Sequence, residues 1–429
     1  MVKIIKSNGV SEYEFINAKR QLSDAFEARV DETVLKIIEN VKKDGDKAVR
    51  EYTAKFDKGV PECFEVSKEE IDKALLCADK KFVDALINAK KNIMAFHERQ
   101  KTQSFVDIQP NGVILGQKVR GLKRVGIYVP GGTASYPSSV LMNAIPAKVA
   151  GVQEVVMTTP PAKDGKANPD VLAAAAICGV DRVFLMGGAQ AIAAFVFGTE
   201  TVPKVDKIVG PGNIYIATAK KLLFGKVDID MIAGPSEILI IADETANPAY
   251  IAADMMGQAE HDVMASSILL TTSEKVAELV NKELEKQIEA MPRKTIIKES
   301  LEKFGAIILC SSENQMVEMA NELAPEHLEV QVKDPMRLLG SLDSAGSVFI
   351  GEYTPEPLGD YYAGPNHVLP TSGTARFFSP LGVDSFVKRS AFISYTKEAM
   401  QAASKDVMEI ARREGLYAHE NAVKVRLNG

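Results

Sequence analysis

Short apolar runs alternate with alanine-rich stretches between residues 125 and 243, and this alternation constrains the fold more than any other feature. Strands buried on both faces of a parallel sheet read as continuous apolar runs, and helices usually connect them. The pattern therefore predicts a doubly wound parallel sheet. Its predicted strands are Val125–Val129, Glu154–Thr158, Arg182–Met186 and Lys207–Val209.

A second alternating region follows the first. A single hydrophobic core stops growing at about 250–300 residues, so a longer chain is expected to divide. This chain has 429 residues, and we therefore expect two α/β domains. The strands predicted for the second region are Ile238–Ile241, Ser267–Thr271, Gly305–Leu309, His327–Val332 and Ser347–Ile350.

The segments outside these regions have other patterns. Residues 31–104 read as helices that serve as scaffold. Gly351–Asp384 is rich in Gly and Pro and has no clear period, and so long a loop is usually functional or disordered. Its aromatic and charged residues favour an ordered loop. The tail Glu398–Gly429 begins as an amphipathic helix and ends in an alternating stretch, Ala422–Leu427, which we interpret as an arm that packs on a partner subunit.

Composition excludes several classes of function. The chain has 51 basic and 57 acidic side chains, and this net charge of −6 disfavours nucleic acid as a partner. No uncharged run reaches the roughly 18 apolar residues of a membrane span. The first ten residues do not resemble a signal peptide. We therefore predict a cytoplasmic protein without a membrane segment.

Any metal ligands are expected to be nitrogen and oxygen atoms. Cys63, Cys77, Cys178 and Cys310 lie far apart and include no C-x-x-C pair, so a thiolate site is not expected. Only five histidines occur, and four of them lie near carboxylate or amide side chains. The fifth, His97, we assign to a surface helix.

One candidate group lies on the predicted helix Pro248–Val263. Gln258 and His261 are three residues apart, and Asp254 lies one turn earlier, so all three share one face. Such a face is also typical of a solvated helix surface. The neighbouring alanines and methionines favour burial instead.

A second candidate is the adjacent pair Glu326 and His327, which stands where a predicted helix meets a strand. Oxidation of an alcohol requires a general base with a pKa near neutrality, and hydration of the product requires a second base. One histidine and one carboxylate meet both requirements. The alternative interpretation is a helix first turn with an acid favoured by the dipole.

Two further pairs have equally simple alternatives. Asp360 and His367 belong to G-D-Y-Y-A-G-P-N-H, where the polar residues also suit tight turns. Glu414 and His419 belong to E-G-L-Y-A-H, where Gly415 also suits a helix end. Spacing alone does not decide between these readings.

Three glycine-rich turns each follow a strand and precede a helix, so their backbone amides could meet the phosphates of a dinucleotide. They are G-I-Y-V-P-G-G at Gly126–Gly132, M-G-G-A-Q at Met186–Gln190 and G-P-G-N at Gly210–Asn213. None matches G-x-G-x-x-G, and the strand that should end in an acidic ribose partner runs into Thr158 and Thr159. Any NAD is therefore expected to bind in an atypical way.

Four motifs together resemble the histidinol dehydrogenase family, in order and spacing, over nearly the whole chain. They are I-D-M-I-A-G-P-S-E-I-L-I-I-A-D at Ile229–Asp243 followed by Q-A-E-H at Gln258–His261, A-P-E-H-L-E at Ala324–Glu329, G-D-Y-Y-A-G-P-N-H-V-L-P-T at Gly359–Thr371, and the terminal E-G-L-x-A-H.

The resemblance implies two Rossmann-like doubly wound domains, with an architecture like that of aldehyde dehydrogenases. It also implies a homodimer that exchanges terminal segments and shares its active sites. We assign residues 23–120 plus 237–380 to the first domain and 121–236 to a second, NAD-associated domain. Residues 1–22 and 381–429 are the N-terminal and C-terminal arms.

The same resemblance implies the roles of individual residues. Glu326 and His327 are the expected catalytic pair. The expected NAD contacts are Tyr128, Gln190 and Asn213, and the expected zinc ligands are Gln258, His261, Asp360 and, from the partner subunit, His419. The expected substrate contacts are Ser236, Gln258, His261, His327, Asp360, His367, Glu414 and His419.

By resemblance, the expected reaction is the zinc-dependent oxidation of L-histidinol through L-histidinal to L-histidine with NAD, the last step of histidine biosynthesis. Two rivals use the same residues, namely a related dehydrogenase for another small alcohol and a zinc hydrolase with Glu326 as its base. A non-catalytic binder of metal or imidazole compounds is a third. The strand–glycine–helix turns argue against the hydrolase and the binder, since neither requires a dinucleotide platform.

Overall fold

The chain is described over residues 2–16, 30–131 and 135–427 in a computed structural model. In chain order the strands are β1 (Lys3–Lys6), β2 (Phe105–Ile108), β3 (Ile114–Gly121), β4 (Arg124–Tyr128), β5 (Glu154–Thr159), β6 (Arg182–Leu185), β7 (Lys207–Val209), β8 (Asp228–Ile229), β9 (Glu237–Ala242), β10 (Ser266–Thr271), β11 (Ala306–Leu309), β12 (His327–Gln331), β13 (Ser347–Ile350) and β14 (Val387–Ser394). The helices are α1 (residues 11–16), α2 (Asp31–Phe56), α3 (Lys68–Cys77), α4 (Lys80–Glu98), α5 (Pro137–Val149), α6 (Pro169–Cys178), α7 (Gly188–Phe197), α8 (Ile214–Leu223), α9 (Pro248–Ala259), α10 (Glu274–Ile288), α11 (Lys294–Phe304), α12 (Glu313–Leu323), α13 (Glu356–Tyr361), α14 (Lys397–Arg413) and α15 (Tyr417–Leu427).

The first predicted α/β region forms a five-stranded sheet with the order β6-β5-β4-β7-β8, in which every pair is parallel. The chain moves outward from β4 to β6 and then returns to the other side of β4 with β7. In open α/β sheets, ligands bind beyond the carboxyl ends of the strands at such a reversal. The candidate crevice of this sheet therefore lies between the ends of β4 and β7.

The backbones at this crevice approach closely at Gly210. A Cβ atom on Gly210, whose φ is +110°, would lie 2.2 Å from the carbonyl oxygen of Tyr128, so only glycine fits. Asp230 Oδ2 accepts a hydrogen bond from Gly210 N at 2.7 Å, and Lys220 Nζ donates to Gly210 O at 3.1 Å. Lys220 and Asp230 also form a buried ion pair. Both backbone groups of Gly210 are thereby fixed.

The second predicted region forms a six-stranded parallel sheet with the order β1-β11-β10-β9-β12-β13, which reverses between β9 and β12. Successive side chains of a strand point to opposite faces. In β9, Ile238 and Ile240 pack with α9, α10 and α11, whereas Leu239 and Ile241 pack with α12. Helices therefore cover both faces, and the prediction of a mixed α/β fold with parallel sheets is confirmed.

The helices of residues 31–98 lie elsewhere than we predicted, because they pack on the five-stranded sheet. Val34 and Val49 of α2 share a core with Phe184 and Ile192. α3 and α4 belong to the core on the other side of this sheet. We had grouped residues 23–120 with the six-stranded sheet, and the described helices correct that grouping. An amphipathic helix shows which face it buries but not which sheet it covers.

The terminal segments are also described in part. β1 is an edge strand of the six-stranded sheet, and the predicted boundary between residues 22 and 23 lies outside the described residues. β14 pairs antiparallel with β3, which pairs with β2. The alternating stretch Ala422–Leu427 is helical rather than extended, since it lies in α15. Across the described ranges, no helix combines the length and the apolar character that a membrane span requires.

Breaking the ion pair between Lys220 and Asp230 should destabilise the protein. Lys220→Met leaves the buried carboxylate of Asp230 without its cation, which should lower the free energy of unfolding by about 3–5 kcal/mol. Adding Asp230→Asn should recover much of this loss, because no unpaired charge then remains. Urea unfolding of both variants measures the effect.

Lys303→Met is the matched control, because Lys303 and Glu299 form an ion pair in which both side chains are exposed. This change should cost less than about 1 kcal/mol. A Lys220→Met variant no less stable than this control would contradict the role assigned to the buried pair.

Candidate active site

The predicted site residues of the second region meet at the amino edge of the six-stranded sheet. His327 is the first residue of β12, and Ser236 directly precedes β9. A helix that connects parallel strands runs back across the sheet, so the carboxyl end of α9 returns Gln258 to the same edge. The topology thus brings together residues that are far apart in sequence.

His327 lies at the centre of the group and is buried. Its Nδ1 lies 3.0 Å from Gln258 Oε1 and 3.2 Å from the carbonyl oxygen of Glu237. Both neighbours are acceptors, so we assign the proton of the neutral ring to Nδ1. Nε2 is left free to accept a proton, and its nearest acidic neighbour is Asp360 Oδ1, at 3.7 Å.

Three carboxylates surround this imidazole. Glu326 Oε2 lies 3.7 Å and Glu356 Oε1 lies 3.9 Å from His327 Nδ1, and both acids are buried. Burial raises the pKa of Glu326 to about 8 and that of Glu356 to about 7. The carboxylates outweigh the effect of burial on His327 and raise its pKa. Three carboxylates thus lie around the single imidazole of His327.

A possible metal cluster lies among these residues. Ligand atoms of His261, Glu356 and Asp360 all lie within 4.8 Å of one another. Buried Gln258 Nε2 and Glu356 Oε2 have no hydrogen-bond partner within the described chain. Nitrogen and oxygen donors in an electronegative pocket suit a divalent cation such as zinc.

Glu356 was not among our predicted residues, although the sequence contained a signal for it. Glu356 and Asp360 are four apart in T-P-E-P-L-G-D, and residues at this spacing share one face of a helix. The structure places both in the short helix α13. We had read this stretch as a loop without a period.

The segment after α9 corrects a second detail. α9 ends at Ala259 rather than Val263, so His261 lies in the following turn and keeps exposed surface. Partial burial still lowers the pKa of the His261 imidazole. Asp254, which we placed on the same face, instead accepts a hydrogen bond from Gln331 at 2.9 Å. The same Gln331 nitrogen donates to Glu329 at 2.9 Å.

His367 joins the site through the long loop. Its Nδ1 lies 3.0 Å from the carbonyl oxygen of Asp360, and its Nε2 lies 3.3 Å from Ser139 Oγ in α5. Burial lowers the pKa of this ring. The contact with Ser139 ties the site to the five-stranded unit.

His97 is buried rather than exposed, which contradicts our assignment to a surface helix. Its exposed fraction is 0%, and its Nδ1 lies 2.8 Å from Gln100 Oε1. The buried side chain of Asn366 lies against the same ring and donates to the carbonyl oxygen of Met142 at 2.6 Å. The long loop therefore covers the end of α4, which its sequence did not reveal.

Glu414 and His419 do not join this group within the chain. Both are exposed, at the end of α14 and the start of α15 respectively. The metal cluster of the described residues does not include His419. Its donation by a partner subunit stays a prediction.

The predicted NAD residues lie at the carboxyl edge of the five-stranded sheet. Tyr128 and Gln190 are buried, and the Tyr128 hydroxyl accepts a hydrogen bond from Gly188 N at 3.3 Å. Asn213 is exposed and caps α8 by accepting from Tyr215 N and Ile216 N. Gly132, in the first glycine turn, lies outside the described residues.

Because acidic groups are buried together at this site, we expect Glu356→Gln to change the stability of the protein after a chelator has removed any metal. Burial raises the pKa of Glu356 to about 7, from an ordinary value of 4.5, so its ionisation costs stability as the pH rises between these values. The substitution should therefore raise the melting temperature at pH 8 and have little effect below pH 4.5. The expected gain at pH 8 is about 1–3 kcal/mol.

Exposed Glu302 provides the control, since Glu302→Gln removes a charge of the same sign from a helix surface. Its melting temperature should follow wild type at both pH values. A Glu356→Gln variant that is less stable than wild type at pH 8 would contradict the excess of negative charge.

Comparisons with known proteins identify the family of the chain. Residues 20–427 match the family model described as histidinol dehydrogenase. The chain is 54% identical over 426 residues to a histidinol dehydrogenase of Clostridium acetobutylicum, covering 99% of each chain. It is 56% identical over 398 residues to one of Listeria monocytogenes, covering 93% of each. A crystal structure of histidinol dehydrogenase from Elizabethkingia anophelis superposes with a TM-score of 0.91 at 38% identity, covering 100% of this chain and 98% of that one. The chain therefore belongs to the histidinol dehydrogenase family.

Proposed function

We propose that this chain oxidises L-histidinol through L-histidinal to L-histidine with NAD, at a site that holds zinc. The observation that carries the proposal is the convergence of Glu326, His327, His261 and Asp360 on one edge of a sheet. The family membership supports it over the full length of the chain.

The residues proposed to hold zinc are Gln258, His261 and Asp360, together with His419 of the partner subunit. Their donor atoms are of the types that zinc accepts, and the surplus of buried carboxylates favours a bound cation. When bound, zinc supplies positive charge and open positions for the nitrogen atoms of the substrate. Glu356 adds a further negative charge within the same cluster.

In the first half of the reaction, His327 acts as the general base. Nδ1 faces the carbonyl oxygen of Glu237, so Nε2 is the atom that accepts the proton of the carbinol hydroxyl as hydride leaves the same carbon. The three nearby carboxylates stabilise the imidazolium that forms. The neutral ring must be restored before the second half begins.

In the second half, Glu326 accepts a proton from the water that adds to the aldehyde. Glu237 N donates to Glu326 Oε2 at 2.9 Å, which fixes the direction of the carboxylate. Burial raises the pKa of Glu326, so its ionised carboxylate accepts a proton more readily than that of an exposed glutamate. The second hydride then passes from the hydrated carbon to a second NAD, and the resulting carboxylic acid releases its protons to water.

The remaining predicted residues complete the two binding sites. Ser236, which precedes β9, and His367, which contacts Asp360, are proposed to bind substrate. Glu414 and His419 are proposed to reach it from the partner subunit. NAD is proposed to lie at the crevice of the five-stranded sheet, against Tyr128, Gln190 and Asn213. The proposed zinc site thus lies at the amino edge of the six-stranded sheet, and the proposed NAD site lies at the carboxyl edge of the five-stranded sheet.

A homodimer that exchanges its terminal segments is also part of the proposal. The segment from β14 to α15 leaves a series of large apolar side chains exposed in the single chain, which favours a partner surface. These side chains are Phe392, Ile393, Ile410, Leu416, Tyr417 and Val425.

The purified enzyme should form two NADH for each histidine produced from histidinol. Each oxidation removes two electrons, so the alcohol and the aldehyde each reduce one NAD. Chelation should abolish turnover, and added zinc should restore it. Absorbance of NADH and chromatography of histidine measure the ratio. One NADH per substrate would indicate an ordinary alcohol dehydrogenase, and histidinol turnover without NADH would indicate different chemistry.

Substitution of each base should impair a different half of the reaction. His327→Asn should slow histidinol oxidation by about a hundredfold or more, because it removes the proton acceptor. Glu326→Gln should slow histidinal oxidation to a similar extent and affect the alcohol half less. Separate assays with each substrate, on variants with matched zinc content, test this division. Equal loss of both halves in both variants would contradict it.

A further inference from the structure

The carboxylate of Asp57, at the end of α2, occupies the amino terminus of α7. Asp57 Oδ2 accepts a hydrogen bond from Gly187 N at 3.1 Å and lies 3.4 Å from Gln190 Nε2. The positive end of the helix dipole stabilises a negative group at this position. Asp57 therefore holds a terminus that we had considered for a nucleotide phosphate.

The M-G-G-A-Q turn is built closely around this carboxylate. A Cβ atom on Gly187 would lie 2.3 Å from Asp57 Oδ1, so a side chain there would displace the carboxylate. The next amide, Gly188 N, donates to the Tyr128 hydroxyl. The amides of Gly187 and Gly188 thus both donate hydrogen bonds within the chain. Neither amide requires a phosphate as its acceptor.

Gln190 is the residue whose position depends most on this arrangement. Its exposed fraction is 0%, and among the described residues its side chain bonds only to Asp57. Its Oε1 atom is buried without a hydrogen-bond partner. An unpaired buried acceptor costs stability, so a donor from a ligand would be favoured here.

Resting on the proposed function, we infer that Asp57 is a positioning residue for NAD. It fixes the Gly187–Gly188 turn and the amide of Gln190, so that Gln190 Oε1 is kept ready for a donor on the cofactor. Asp57 directly follows α2, in a segment that we interpreted from the sequence as scaffold alone. The residue acts through Gln190 and does not itself take part in the chemistry.

Asp57→Ala and Asp57→Asn test this role by steady-state kinetics. Asp57→Ala removes the acceptor of two donors, so the KM for NAD should rise about tenfold. The kcat and the KM for histidinol should stay within about twofold of wild type. Asp57→Asn keeps an oxygen for Gly187 N and should restore the KM for NAD to within about threefold of wild type.

Glu51→Ala is the control, because Glu51 lies on α2 and is exposed. It should leave both KM values unchanged. Titration of NAD into enzyme without histidinol, followed by calorimetry, measures cofactor binding directly, and melting temperatures report the fold.

The outcomes separate the inference from the proposed function. If wild-type enzyme forms no NADH from histidinol, the proposed function fails, and the calorimetry still tests Asp57. If wild type turns over and Asp57→Ala keeps its KM and affinity for NAD, only the inference fails. A lower melting temperature with unchanged kinetics would show a purely structural cap and would overturn the inference. An equal rise of the KM for NAD and the KM for histidinol would also overturn the inference.

Discussion

The burial of three carboxylates around one imidazole is the constraint on which the candidate active site depends. Glu326, Glu356 and Asp360 surround one imidazole at distances of 3.7–3.9 Å. Charges of one sign are costly to bury unless opposite charge lies close to them. Burial raises the pKa of Glu326 and Glu356, and the carboxylates raise the pKa of His327 against the effect of its burial. A bound cation would offset the negative charge of the carboxylates. At the zinc site that we propose, such negative charge would favour a bound cation and would cost stability when the metal is absent.

The two sheets contribute opposite edges to the proposed function. In open α/β sheets, ligands usually bind beyond the carboxyl ends of strands, where the glycine turns of the five-stranded sheet lie. The acid–histidine group instead lies at the amino ends of β9 and β12. The long loop links the two units, since Asn366 bonds to α5 and Thr371 Oγ1 accepts from Gly234 N at 2.6 Å. One connected segment therefore fixes residues beside both sheets.

Local patterns predicted the strands well. Each strand predicted in the two α/β regions is present within one residue at either end, because buried parallel strands carry a continuous apolar signal. The residues of the candidate site were found through motifs, and spacing alone left simple alternatives open. Glu356 was missed because its helix, α13, is only six residues long and follows a stretch without a period.

Other features depend on tertiary contacts that one sequence does not encode locally. His97 appeared solvated because its neighbours Glu98 and Arg99 are charged, yet loop residues more than 260 positions later bury it. The packing of α2 on the five-stranded sheet also depends on residues far away in the chain, so the local sequence did not predict it. A further long-range contact affects biosynthesis: β1 pairs with β11, so Lys3–Lys6 has its partner strand only after residue 309 has been made. At about 5–20 residues per second, the nascent amino-terminal strand would wait roughly 15–60 seconds on the ribosome for that partner. During this interval its unpaired backbone is a candidate for binding by chaperones.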